Sequence, residues 1–137
     1  MRAWPFLLIT ASSLLVGCQT VNPQTPALVE YERSGGITGQ TVRLVIQDNG
    51  SARLTKVGGD STTLAVAADT LGRLKSLLES IRFDTLHADY RPSQAGADRY
   101  EYVIKHRGRS VRCQDGAVPA DLQPLITALN GVVRSGR

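Results

Sequence analysis

The chain has 137 residues, of which 42% are hydrophobic and 5% aromatic, and its formal net charge is +4. This length suits one small domain. The basic residues are spread along the chain, with one thin cluster at Lys105, Arg107, Arg109 and Arg112. Because nucleic-acid binding favours a basic stripe interleaved with aromatic residues, the composition argues against nucleic acid as a partner.

The first 17 residues have the layout of an export signal. Arg2 makes the start positive, two apolar runs follow at residues 6–9 and 14–16, and the small Gly17 stands before Cys18. A transmembrane helix needs about 20 consecutive apolar residues, whereas this stretch is shorter and is interrupted by polar residues. The pattern therefore favours a cleaved signal peptide over residues 1–17.

The residues before Cys18 resemble the lipobox of bacterial lipoproteins. Leu15, Val16 and Gly17 precede the cysteine, as in proteins whose thiol receives a diacylglycerol before the chain is cut in front of it. The resemblance implies a lipid on Cys18 and hence a membrane partner, because two or more acyl chains anchor a protein stably. Gln19 follows the cysteine, and resemblance to other lipoproteins then implies the outer membrane, facing the periplasm, if the source has two membranes.

Loss of the signal changes the charge and the cysteine chemistry. Without Arg2 the basic count falls from 16 to 15 against 12 acidic side chains, which leaves a net charge of +3. With Cys18 lipidated, Cys113 is the only other cysteine, so no disulfide can form within the chain. A lone thiol in an oxidising compartment is usually buried and inert, and less often joined to another chain.

Residues 18–26 are predicted to form a tether to a domain over 27–137. The segment after Cys18 is polar and contains Pro23 and Pro26, which is typical of a linker. Eight extended residues reach at most about 28 Å, so the domain is expected to stay near the membrane surface.

Alternating apolar residues predict three strands at the start of the domain. They cover residues 28–33, 42–47 and 52–57. Asp48, Asn49 and Gly50 predict a hairpin between the second and third strands, because Asn and Gly tolerate positive φ. Residues 58–61 are expected to end the third strand.

A helix is predicted over residues 68–81, with its apolar positions at spacings of three and four. Residues 90–98 are expected to form a loop, and strands are predicted over 100–105 and 109–113. A last helix is predicted over 122–133, with Asp121 as its cap and Pro124 at the third helical position, where no N–H partner is needed. The predicted fold is α+β: an antiparallel sheet of about four to five strands with two helices on one face, in the order β-β-β-α-β-β-α.

The sequence offers no pattern for catalysis, a metal or a cofactor. His87 and His106 have no cysteine or histidine partner at metal-ligand spacing, and both are expected in solvent. No serine stands in a nucleophile-elbow motif. We therefore expect no catalytic residues, no metal site and no cofactor, and a protein that is not an enzyme.

The glycine-rich stretch between the first two strands stands out. Gly35, Gly36 and Gly39 flank Ile37 and Thr38. One interpretation is a bulged connection with Ile37 folded back onto the sheet edge. The other is a contact loop, because glycines let another surface approach the backbone closely.

Several segments, taken in order, resemble the emfourin family of small inhibitors of thermolysin-like metalloproteases. Residues 31–39 (YERSGGITG) resemble the family's opening strand and its Ser-Gly-Gly loop. The resemblance continues through Leu77, Leu78, Phe83 and Leu86, through residues 96–102 (GADRYEY) and a hairpin to Val111, and through residues 118–122 (VPADL). Together these segments cover about residues 29–130. Ile37 and Thr38 stand where the family has an aromatic residue and alanine.

The resemblance implies a domain that occupies a metalloprotease cleft without being cut. The protease-binding residues that it implies are Gly35, Gly36, Ile37, Thr38 and Gly39, with a thermolysin-like metalloprotease as the partner. An alternative is a structural or assembly lipoprotein of the cell envelope without inhibitory activity. A ligand-binding lipoprotein is a third possibility and needs an apolar pocket between sheet and helices. An exposed loop at 34–39 favours the inhibitor, and a packed one favours the assembly protein.

Overall fold

Four strands, a helix, three strands and a second helix follow one another in the computed structural model, which describes residues 26–94 and 96–136. The strands are β1 (Ala27–Gly35), β2 (Val42–Gln47), β3 (Ser51–Lys56), β4 (Ser61–Ala65), β5 (Asp89–Tyr90), β6 (Tyr100–His106) and β7 (Arg109–Gln114). The helices are α1 (Ala68–Ser80) and α2 (Gln123–Ser135), and a 3₁₀ turn, Ala120–Leu122, precedes α2. The protein is α+β, as predicted.

The strands form one sheet in the order β4-β3-β2-β1-β6-β7-β5. The prediction of four to five strands in an antiparallel sheet is wrong in two respects, because this sheet has seven strands and β5 runs parallel to β7. β4 was missed because only Leu64 among its residues packs against the core, which leaves no clear alternation. β5 was missed because a strand of two residues is too short to show an alternating pattern. Its parallel pairing with β7 places Tyr90 beside Cys113.

The antiparallel pairing gives the sheet two distinct ends. At the Ala27 end, β1 starts, β2 ends at Gln47 and β6 turns into β7 after His106. At the Gly35 end, β1 finishes beside Tyr100, the first residue of β6. At about 3.3 Å per residue, β1 separates these two ends by about 26 Å.

The core lies between one face of the sheet and both helices, as expected from the apolar stripes. β1, β2 and β6 contribute Tyr31, Leu44 and Ile104, and the helices contribute Leu74 and Leu129. The opposite face is polar and carries exposed ion pairs, such as Arg43 with Glu30 at 3.0 Å. Burial of a large apolar side chain contributes roughly 1.5–3 kcal/mol, so this one-sided core accounts for much of the stability.

The start of α2 differs from the prediction. Asp121 lies in the 3₁₀ turn and makes no capping hydrogen bond, and Leu122 occupies the cap position. Pro124 is the second helical residue rather than the third, where its missing N–H is equally harmless. Within residues 26–94 and 96–136, no helix is long and apolar enough to cross a membrane.

Candidate functional site

The glycine-rich loop leaves the sheet at the end of β1 and projects Ile37. The N–H of Gly39 donates to the carbonyl oxygen of Gly36 at 3.0 Å, which closes a turn with Ile37 and Thr38 at its corner. The Ile37 side chain is 89% exposed, and Thr38 and Gly39 are exposed as well. The interpretation in which Ile37 folds back onto the sheet edge is therefore wrong.

Close backbone packing fixes the base of this loop. Gly35 has φ of +89°, and a Cβ atom there would collide with the carbonyl oxygen of Arg99. Gly36 has φ of +69°, and a Cβ atom there would lie 2.6 Å from the Tyr100 ring. Real Cβ atoms essentially never come this close. At position 35 the clash is with backbone, so glycine is required there for steric as well as conformational reasons; at position 36 the positive φ favours glycine, and a side chain would have to displace the Tyr100 ring.

A second attachment joins the second half of β1 to α2. The hydroxyl of Tyr31 and the Nη1 of Arg33 both donate to the side-chain oxygen of Asn130, at 2.9 Å and 2.8 Å. The guanidinium of Arg33 also lies 5.0 Å from the centre of the Tyr100 ring, within cation–π range. The strand that carries the loop is thus bound to the helix layer.

Asp115 fixes the neighbouring strand β6 on which the loop rests. Its carboxylate accepts the Tyr100 N–H at 3.0 Å and the Tyr102 hydroxyl at 2.8 Å. Burial, followed by the hydrogen bond and the charge of Asp115, raises the pKa of Tyr102, so this phenol stays protonated and donates. Burial likewise raises the pKa of Tyr31, with its hydroxyl bonded to Asn130.

A second exposed apolar side chain lies at the same end of the sheet. Val57, which directly follows β3, is 72% exposed, and its N–H donates to the carbonyl oxygen of Thr41 at 2.9 Å. This bond joins the turn after β3 to the segment that returns from the Ile37 turn. Val57 was predicted to be the last residue of the third strand, which instead ends at Lys56. The glycine pair at 58 and 59 is the sequence signal that could have placed Val57 in a turn.

The two histidines have different environments. His87 is exposed, as expected, whereas His106 is only 6% exposed, which contradicts the prediction. Position 106 continues the inward-facing alternation of Tyr102 and Ile104, and its Nδ1 lies 2.7 Å from the carbonyl oxygen of Leu28. A carbonyl oxygen only accepts, so Nδ1 carries the proton and donates. His106 is therefore a satisfied core residue.

Cys113 is a free, buried thiol. Its burial agrees with the prediction of a buried, inert cysteine and does not favour a disulfide to another chain. Burial, together with the nearby carboxylates of Asp115 and Glu101, raises the pKa of its thiol to about 11. Since the thiolate is the reactive form, this side chain is a poor nucleophile at neutral pH.

Open grooves lie on the surface of the part of the domain that the structure describes, and two of them are large. One, of about 430 Å³, lies on the polar sheet face beside Pro26 and Arg53. The other, of about 410 Å³, lies between β6 and α2 and combines Ile126 with the polar groups of Asp115 and Gln123. Among residues 26–94 and 96–136, no cluster of three or more His, Cys, Asp or Glu side chains could hold a metal ion.

Cys18, the predicted lipidation site, lies outside the described residues, as do the predicted signal peptide and almost all of the tether. The structure therefore brings together the five predicted loop residues and adds Val57 to their end of the sheet. In comparisons with known proteins, the chain matches no protein-family model and has no significant match among curated proteins.

Proposed function

We propose that the chain is a lipid-anchored bacterial lipoprotein whose domain binds another protein through the loop that carries Ile37. In its more specific form, the domain inhibits a thermolysin-like metalloprotease. The observation that carries the proposal is the 89% exposure of Ile37 on a turn whose base is fixed by Gly35 and Gly36. An isoleucine held in solvent at the tip of a rigid turn is an expected anchor for a partner's apolar pocket.

The rigidity of the loop base favours binding without cleavage. A loop already fixed in shape loses little conformational entropy when it enters a cleft. The Gly36 N–H donates to Arg99 at 3.2 Å, and Arg33 is bonded to Asn130, so both the loop and its strand resist being drawn into an extended substrate conformation.

The placement of the loop suits a soluble partner. The chain enters the domain at Ala27, and the loop leaves β1 at Gly35, about 26 Å away along the strand. If Cys18 carries the lipid, the Ile37 turn lies at the opposite end of β1 from the anchor. A protease approaching from the aqueous side then meets the loop without steric obstruction from the membrane.

Titration against a protease tests inhibition. Residues 19–137 would be added to a thermolysin-like protease while hydrolysis of a short peptide is followed. We expect activity to fall to near zero at about one equivalent, with the domain intact by mass spectrometry. Absence of inhibition, or digestion of the domain, would contradict the inhibitor proposal and favour the structural or assembly lipoprotein.

Matched variants test the loop. Ile37→Asp is expected to weaken inhibition by at least 100-fold, because it places a charge in an apolar pocket. Val57→Asp is expected to have a smaller effect in the same direction. Thr63→Asp adds the same charge at an exposed position of β4, on the polar face of the sheet away from the helices, and should leave inhibition unchanged. Equal inhibition by the Ile37 and Thr63 variants would exclude the loop as the binding site.

The anchor has an independent test. Expression of the full chain in a bacterium, followed by mass spectrometry of the mature protein, should show loss of residues 1–17 and a mass gain from lipid on Cys18. Cys18→Ser should abolish both changes. A mature chain that starts elsewhere, or that carries no lipid, would refute the anchor without bearing on inhibition.

A further inference from the structure

We propose that a basic surface at the Ala27 end of the domain, made of Lys105, Arg107 and Arg109, docks on anionic lipid headgroups and turns the Ile37 loop away from the membrane. This inference rests on the proposed lipid anchor at Cys18 and adds a second contact to it. The anchor alone would limit distance from the bilayer, whereas the basic surface would set orientation.

The first support is position. The turn between β6 and β7 brings Arg107 and Arg109 to the end of the sheet where the chain enters the domain, and Ala27 borders the same surface groove as Arg107 and Ser110. Only eight residues, 19–26, separate this point from Cys18. A fully extended segment of that length spans at most about 28 Å, so the basic surface stays within reach of the headgroups.

The second support is exposure and pairing. Lys105, Arg107 and Arg109 are all exposed. Within the described residues, Arg107 and Arg109 form no ion pair; Arg109 instead donates to the backbone carbonyl oxygen of Asp84 at 3.0 Å. Their positive charges are therefore available to an external anion.

Two acidic residues border the basic surface: Glu30 shares its carboxylate between Arg43 and Lys105, and the backbone of Asp84 contacts Arg109. Asp48 and Asp69 pair elsewhere or stand apart. Glu30 accepts from Arg43 at 3.0 Å and lies 3.9 Å from Lys105. Asp48 pairs with Lys75 at 3.1 Å. Asp69 lies in the first turn of α1, on the helix layer rather than beside the β6–β7 turn.

The size of the effect follows from membrane electrostatics. A Lys or Arg near an anionic surface contributes about 1 kcal/mol, which is about a fivefold change in the ratio of docked to undocked domains. For a domain already held by an anchor, Arg107 and Arg109 together with Lys105, which also lies near Glu30, are enough to make one orientation dominate. The attraction should weaken as salt shortens the Debye length from about 8 Å at 0.15 M to about 3 Å at 1 M.

A single tryptophan can report this orientation. The only tryptophan in the chain is Trp4, within the predicted signal, so the mature protein has none. Ser110→Trp places a reporter beside the basic turn, and Thr38→Trp places one at the far end of β1. The full chain would be expressed, matured and reconstituted in vesicles of brominated phosphatidylcholine, with or without 30% phosphatidylglycerol.

The proposal requires a specific pattern of quenching. Fluorescence at position 110 should be quenched in vesicles with phosphatidylglycerol and should recover at 1 M salt. Fluorescence at position 38 should be unaffected in both vesicles. Equal quenching at both positions, or quenching at position 110 that does not depend on phosphatidylglycerol, would overturn the proposal.

Charge variants provide the matched control. In the Ser110→Trp background, Lys105→Gln with Arg107→Asn should reduce the docked-to-undocked ratio about 25-fold. Asparagine tolerates the positive φ of +46° at position 107, so the turn is kept. Lys56→Gln with Arg91→Gln removes the same charge at the Gly35 end and should leave quenching unchanged. An equal loss of quenching in both double variants would show that docking depends on net charge rather than on this basic surface.

The anchor and the docking surface can fail separately. The mass of the purified protein shows whether lipid is present on Cys18. If it is absent, the anchor is refuted, and cosedimentation of the same protein with phosphatidylglycerol vesicles tests the basic surface alone. If the lipid is present but quenching at position 110 is absent, the anchor stands and the docking surface is refuted.

Discussion

Gly35 packs so closely against Arg99 that a Cβ atom at position 35 would collide with the Arg99 carbonyl oxygen. The same oxygen accepts the N–H of Gly36 at 3.2 Å. The start of the exposed turn is therefore attached to the segment before β6 by a close backbone contact and a hydrogen bond, in addition to the packing of the Tyr100 ring on Gly36.

Gly35→Ala should destabilise the domain by about 2 kcal/mol or more, because an L-residue with this φ is strained by about 1–2 kcal/mol and the clash adds to that cost. Urea denaturation followed by circular dichroism measures the change. Gly72→Ala is the control, since Gly72 is helical and nothing lies within 4 Å of its added Cβ. It should stabilise by up to about 1 kcal/mol. Similar effects at both sites would contradict the close-packing argument.

Asn130→Ala should cost about 2 kcal/mol, because it leaves the buried Tyr31 hydroxyl and the Arg33 guanidinium without their shared acceptor. A double-mutant cycle with Tyr31→Phe measures the coupling in the free energy of unfolding. Removing both partners should cost less than the sum of the two single changes. Thr127→Ala, on the exposed side of α2, should change stability by no more than about 0.5 kcal/mol. Strict additivity of the first pair would show that the Tyr31–Asn130 bond contributes nothing.

His106→Ala should destabilise the domain by about 2–3 kcal/mol. It removes a side chain that packs 5.3 Å from the Phe83 ring centre and leaves the Leu28 carbonyl oxygen unpaired. His87→Ala, at an exposed position, should change stability by no more than about 0.5 kcal/mol. Thermal and urea unfolding distinguish the two variants, and equal stability would place both histidines in solvent.

Alkaline pH should destabilise the folded state. The pKa values of Tyr31 and Tyr102 are raised above 10.0, and that of Cys113 rises from 9.0 to about 11. From about pH 9 the unfolded chain therefore loses these protons while the folded chain keeps them, so the free energy of unfolding falls as pH rises. Urea denaturation between pH 7 and 10.5 measures this slope, and Tyr31→Phe with Cys113→Ala should make it shallower. A slope that is flat or rising would be contrary to the burial of these groups.

The sequence was sufficient for the class of fold because that class depends on local periodicity. Alternation identified five of the seven strands, and the stripe of Leu74 and Leu78 identified α1 with an end one residue from the observed one. These features are set by neighbouring residues along the chain.

Other features were decided only by tertiary structure. The sequence could not place Asn130 beside Tyr31, because these residues are 99 positions apart and no motif links them. It placed His106 in solvent because histidine is polar, whereas the register of β6 turns it inward to the Leu28 carbonyl oxygen. Strand pairing likewise places Lys105, Arg107 and Arg109 together at the Ala27 end of the sheet. The Gly35 loop lies at the other end. Periodicity along a chain determines which face of an element a residue occupies. Pairing between distant segments determines which residues meet, and it cannot be predicted from the side chains alone because the backbone hydrogen bonds that join strands are the same for almost every residue type.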